Sequence, residues 1–141
     1  EQRVITIKHE ICHILGFGNK WIVKYDESNG PYLSADDYPL TFDAYLLMTG
    51  IDYITIGTPI EISGGKGVAS VHWENNDRDF EGNISEGIPN DIMVCSLKEN
   101  PVFSLLTANN LKDLGWNVDS SFVEDVDFTL PRSLIDKKFE N

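Results

Sequence analysis

An α+β fold is expected for this 141-residue chain, and three stretches predict it. From Val4 to Leu15, the residues Val4, Ile7, Ile11, Ile14 and Leu15 fall within an arc about 100° wide, the period of an amphipathic helix. Thr41 to Met48 reads as a second, shorter helix, in which Tyr45, Leu46 and Met48 are packing residues. Ile51 to Ile62, with its isoleucines and threonines, favours strand. At 41% apolar content the chain has the size of one globular domain able to bury its own core.

The first helix carries the chemistry. His9, Glu10 and His13 stand in the spacing His-Glu-x-x-His. At about 100° per residue the two histidines lie about 40° apart on one face, so both imidazoles reach a single metal ion, and the pattern points to zinc. Glu10 falls beside them, where a carboxylate can act on water as a general base without being forced to ligate. The apolar arc lies on the opposite side, so one face is expected to pack while the other works. Gly16 follows the last apolar residue and can take the left-handed conformation that ends a helix, turning the chain away below the metal.

Catalytic zinc takes three protein ligands and keeps a fourth position for water. The chain has three histidines, so economy makes His72, in Gly64-Gly65-Lys66-Gly67-Val68-Ala69-Ser70-Val71-His72-Trp73, the best third ligand. Asn19 is the competing local position, where compact zinc peptidases with a longer histidine motif carry a ligand, but a neutral amide binds zinc poorly. Cys12, between the histidines, points about 80° away from the ligand face and reads as a small packing residue.

Between these landmarks, Asp26 to Pro39 is rich in Asp, Ser, Asn, Gly and Pro and reads as loop. Asp77 to Ile84 alternates acids before a glycine, like the start of a calcium loop. The closing glutamate is absent, because Ile88 occupies its place, and a solvated acidic loop is preferred over a Ca2+ site. Arg132 to Asn141 is a polar tail. With 23 acidic against 11 basic residues the formal net charge is −12, which excludes nucleic acid and anionic membranes as expected partners. No apolar run has the length of a membrane span, and no signal peptide is evident. Two cysteines are far from a disulfide-rich scaffold.

From the first helix through Pro131 the chain resembles the leishmanolysin-like branch of the metzincin zinc peptidases. His9-Glu10-Ile11-Cys12-His13-Ile14-Leu15-Gly16-Phe17 resembles the zinc helix, and Trp21 the tryptophan after it. Thr58-Pro59-Ile60-Glu61, with the glycines before Val71-His72-Trp73, resembles the distant third-ligand segment that marks the branch. Asp91-Ile92-Met93 resembles the methionine turn, which makes Met93 the hydrophobic floor under the metal. Residues 106–118 resemble the final helix and the Gly-aromatic-x-Val strand that follows it, and Val126-Asp127-Phe128-Thr129-Leu130-Pro131 resembles the usual ending. Val94-Cys95 departs from the small residues that commonly follow the turn methionine.

The resemblance implies a metzincin-like catalytic domain over residues 1–131, followed by the polar tail at 132–141. It also implies one zinc per chain held by His9, His13 and His72, with Glu10 as catalytic base and a peptide or protein as substrate. In the family the turn runs beneath the zinc helix, so Cys12 can approach Cys95, and a disulfide between them stays open. The substrate-binding sheet that precedes the zinc helix in metzincins is largely missing here. The chain is therefore expected to correspond to the lower, C-terminal subdomain, with an N-terminal domain or neighbouring chain completing the sheet over Val4, Ile7 and Ile11. An extracellular or virion-associated location rests on the resemblance alone. No tyrosine follows the methionine turn, so zinc would carry most of the oxyanion stabilisation. The alternative is a catalytically inactive, zinc-stapled structural or interaction module of a larger extracellular or virion protein. Peptide deformylase, which shares the histidine motif, needs an upstream cysteine, and none precedes His9.

Overall fold

Helix α1 spans Gln2–Ile14 and stops where the glycine predicts. Gly16 has a φ of 114°. Its N–H donates to the His13 carbonyl and the Phe17 N–H to the Cys12 carbonyl, each at 3.0 Å, the paired bonds of a Schellman stop. These coordinates are a computed structural model, which describes residues 2–28, 30–51, 54–61, 71–73, 88–94 and 100–126.

Strand β1 (Val23–Asp26) pairs antiparallel with β2 (Gly30–Ser34), and β2 with β3 (Gly57–Pro59), in the order β1-β2-β3. The stretch Asp26 to Pro39, expected as loop, therefore contains a strand. Its turn-forming residues supply the hairpin connection, where the Asp26 carboxylate accepts the Ser28 N–H at 3.0 Å. Val23 sits opposite Leu33 and Asp26 opposite Gly30, and buried Pro31 and Leu33 anchor β2 in the core. The strand expected over 51–62 is shorter than its composition suggests. Among the described residues only Tyr32 to Ser34 offers it a ladder, opposite Gly57 to Pro59, and a strand extends no further than its partner. Ile60 adds a single bridge to Trp73, and Trp73 one to Val94.

Helix α2 spans Pro39–Thr49, close to the expected second helix. Proline at its first position loses only an N–H that has no helical partner. Tyr38 supplies no side-chain cap. Instead the carboxylate of Asp113 accepts the N–H groups of Leu40 (3.3 Å) and Thr41 (2.8 Å) and the Thr41 hydroxyl (2.7 Å). Helix α3, Leu105–Asp113, thereby caps its neighbour from its own last residue. Ser104 caps α3 in turn, accepting from the Thr107 N–H at 3.4 Å.

The strand implied for residues 116–118 does not form. After α3 the chain runs irregularly, and the Trp116 indole donates to the Leu15 carbonyl at 2.7 Å, tying the end of α3 to the end of α1. The core lies between α2, α3 and the sheet. Its centre is an aromatic cluster of Phe17, Trp21 and Trp73, with ring centroids 4.5 to 5.0 Å apart, a spacing at which tilted and edge-on pairs attract. Buried Leu33, Tyr45, Ile60, Met93 and Leu106 surround it. Tyr45, Leu46 and Met48 pack as expected. Both indoles donate to α3, Trp21 to Asn110 Oδ1 and Trp73 to Thr107 Oγ1, each at 2.9 Å.

Val4, Ile7, Ile11 and Ile14 are 53%, 58%, 47% and 79% exposed, so the described residues do not pack the apolar stripe of α1. The helix packs instead through Cys12, Ile5 and the histidine side. His9 holds it there, its Nδ1 lying 2.7 Å from the Ile92 carbonyl, whereas nothing among the described residues covers the stripe. Among those residues the architecture is α+β, three α-helices with one three-stranded antiparallel sheet, and no helix is long and apolar enough to cross a membrane. The acidic stretch 77–84, the glycines at 64–67, Cys95, residues 127–131 and the tail at 132–141 lie outside the described residues.

Candidate metal centre

His9 and His13 stand one turn apart on α1, and His72 reaches them from the segment paired with Ile60 and Glu61. The three Nε2 atoms form a nearly equilateral triangle: 3.1 Å from His9 to His13, 3.2 Å from His13 to His72 and 3.2 Å from His72 to His9. Tetrahedral ligation at about 2.0–2.1 Å from the metal separates ligand nitrogens by about 3.3–3.4 Å. The triangle is within a few tenths of an ångström of that spacing.

Proton placement strengthens the fit. His9 Nδ1 lies 2.7 Å from the Ile92 carbonyl and His13 Nδ1 lies 2.8 Å from the Phe17 carbonyl. A carbonyl oxygen only accepts, so each Nδ1 carries a proton, which leaves Nε2, the atom turned inward, as the nitrogen able to offer a lone pair. Outer-shell carbonyls of this kind are what fix the tautomer and ring angle of metal-binding histidines. The three side chains can therefore hold a metal ion.

Each ligand is placed by a local device. The helix stop at Gly16 turns the Phe17 carbonyl back toward His13. The next glycine, Gly18, has a φ of 76° and packs against Val71 so closely that an added Cβ would lie 2.5 Å from the Val71 carbonyl oxygen. That close approach delivers the following residue, buried His72, to the end of α1. On its other side the Glu61 N–H donates to the His72 carbonyl at 2.9 Å.

Met93 is fully buried in a turn that contacts both sides of the site. Its carbonyl accepts the Trp73 N–H at 3.2 Å, while the carbonyl of the preceding Ile92 accepts from His9. The expected floor residue thus sits in the turn that orients a ligand. Asp91 opens that turn and is fully buried. Burial pushes its carboxyl above the usual carboxylate range, opposed by hydrogen bonds from the Ser104 hydroxyl, the Met93 N–H, the Thr107 hydroxyl and the Ser104 N–H.

Glu10 is exposed and, among the described residues, no carboxylate or thiol joins the converging histidines. It remains free to act as a base. Asn19 is not drawn in, because its amide donates to the His13 carbonyl at 2.9 Å. Cys12 is a free, buried thiol, pushed up to about 11 by burial and, secondarily, by the charge of Asp91, so it is a packing residue. Sequence reasoning did not assign the carbonyls of Phe17 and Ile92, which accept from His13 and His9, or the network that joins the Asp91 carboxyl to Ser104 and Thr107. Ser104-Leu105-Leu106-Thr107, a helix-start pattern beside an apolar run, was the available signal for the last two.

Comparison of the chain with protein-family models, curated proteins and solved structures finds no match, so the functional reading stands on this geometry and on the sequence.

Proposed function

We propose that the chain is a zinc-dependent endopeptidase with a metzincin-like metal centre of the leishmanolysin type. The observation that carries this reading is the convergence of three imidazole Nε2 atoms at near-tetrahedral spacing, with Glu10 adjacent in the chain to the first ligand. Among the described residues three imidazole nitrogens and no thiolate converge, a donor set that suits zinc and leaves a coordination position open, the pattern of catalytic sites; structural zinc sites are closed by a fourth protein ligand. When bound, zinc supplies Lewis acidity, bringing the pKa of water down to about 7 and polarising a carbonyl.

The chain's own residues divide the remaining work. His9 and His13, held by backbone carbonyls, keep their lone pairs on Nε2, and His72 completes the set from a distant segment. Glu10 accepts the proton of the attacking water and returns it to the amine released as the peptide C–N bond breaks. Met93, fully buried in the turn whose Ile92 carbonyl faces His9, is on this reading the apolar, polarisable floor of the site.

Elemental analysis of the purified protein, wild type against His72→Ala, together with cleavage of a generic denatured protein, tests the proposal. About one zinc per chain, weakened in His72→Ala and accompanied by chelator-sensitive cleavage, is the expected result. Zinc without cleavage would move the reading to the inactive, zinc-stapled module. Folded protein without zinc would overturn both.

A further inference from the structure

We propose that Asp91 is a positioning residue for the metal centre. Its buried carboxylate joins the His9 side of the site to the His72 side through the start of α3, and so sets ligand geometry without touching the ion. The inference rests on the metal-binding reading above and gives a role to a residue that the sequence marked only as part of the stretch Asp91-Ile92-Met93.

One arm of the link is local. Asp91 Oδ1 accepts the Met93 N–H at 2.6 Å, closing an Asx turn over Ile92. The Val94 N–H donates to the Asp91 carbonyl at 3.2 Å. Both bonds close over the Ile92 peptide and leave its carbonyl unused within the turn. That carbonyl is the acceptor for His9 Nδ1.

The other arm is tertiary. The Thr107 hydroxyl donates to Asp91 Oδ1 at 2.8 Å and accepts the Trp73 indole N–H at 2.9 Å. Trp73 follows His72 in the chain and is fully buried, so fixing its ring fixes the backbone that presents the third ligand. Ser104 donates its hydroxyl and its N–H to Asp91 Oδ2, which locks the carboxylate in place. A hydroxyl has one proton to give, so Thr107 can serve Trp73 and Asp91 together only if Asp91 accepts. A carboxylate does this on both oxygens; a carboxamide offers one acceptor and two N–H groups.

The test compares Asp91→Asn, Thr107→Val and Thr107→Ser, with Thr41→Ala as a control that loosens the contact between α2 and α3. Two readouts serve: zinc affinity by competition with a chromophoric chelator, and the visible absorption spectrum of the cobalt-loaded chain, which reports ligand geometry. Asp91→Asn and Thr107→Val are expected to weaken zinc by about 10- to 100-fold, the usual range for an outer-shell partner, and to shift the cobalt bands. Thr107→Ser, which keeps the hydroxyl, should restore both, and Thr41→Ala should leave the spectrum unchanged. If Asp91→Asn does not fold, the valine and serine variants carry the test. Wild-type affinity and spectrum in Asp91→Asn and Thr107→Val would overturn the inference, as would a serine variant as impaired as valine or a control that shifts the bands equally. A wild-type chain that takes up neither metal would overturn the metal reading itself, and this inference with it.

Discussion

A methyl group on residue 18 would meet the Val71 carbonyl oxygen at 2.5 Å, on a backbone whose φ of 76° already disfavours a side chain. Gly18→Ala should therefore cost more than the 1–2 kcal/mol or so that left-handed backbone alone imposes, and it should push His72 away from the other ligands. Urea denaturation would read the first effect and zinc content the second; a variant with normal stability and one zinc per chain would refute the close approach as the device that seats His72. Glu10 calls for the opposite expectation. Being exposed and outside the ligand set, it can become Gln with no loss of metal or stability, while turnover on denatured protein falls by about 10²- to 10⁴-fold, the usual worth of a general base. A Glu10→Gln variant that cleaves at the wild-type rate would remove the residue from the proposed mechanism. His9, Glu10 and His13 were legible in the sequence because helical geometry is local. His72 was reached by counting histidines and by resemblance. Asp91 and Thr107 carry no such signature, since a buried hydrogen-bond network exists only once distant segments meet.

Helices α2 and α3 are joined end to start by Asp113, whose two carboxylate oxygens receive two backbone N–H groups and a hydroxyl from the first turn of α2. A negative charge at a helix N-terminus also opposes the helix dipole favourably. Asp113→Ala should destabilise the chain by about 1–2 kcal/mol, the range for losing a good N-cap, and Asp113→Asn by less, because one oxygen remains to accept. Chemical denaturation of the two variants would show the order; equal stability of wild type and Asp113→Ala would mean that water replaces the cap without cost. This cap was invisible in the sequence for the same reason that the hairpin was. Gly16-Phe17 announces the end of α1 through its own backbone preference, and Pro39 marks the start of α2. The β2 strand, by contrast, is made of residues that favour turns, and it is strand only because β1 and β3 pair with it on either side.

Helix α1 has two unlike faces among the described residues. Val4, Ile7, Ile11 and Ile14 form a stripe that water reaches, while Cys12 and the Nδ1 side of His9 face the core and the turn at Ile92 and Met93. Periodicity alone reads the apolar stripe as the packing face, and the polar side reads as solvent-facing. Two histidine side chains with backbone acceptors reverse that, because each Nδ1–H finds a carbonyl inside the fold. If the stripe is exposed in solution, replacing its members with a polar helix former removes no buried contact. The triple variant Val4→Gln, Ile7→Gln, Ile14→Gln should then unfold within about 0.5 kcal/mol of wild type, as surface substitutions do, and should self-associate less, because an exposed apolar patch is a site of sticking. Ile5→Gln is the contrast: Ile5 packs against the core, so this single change should cost more than the three together. Urea midpoints and light scattering at matched concentrations measure both effects. A triple variant that loses more than about 2 kcal/mol would show the stripe to be buried in solution, and the expectation that a further apolar element completes the molecule over α1 would then lose its basis.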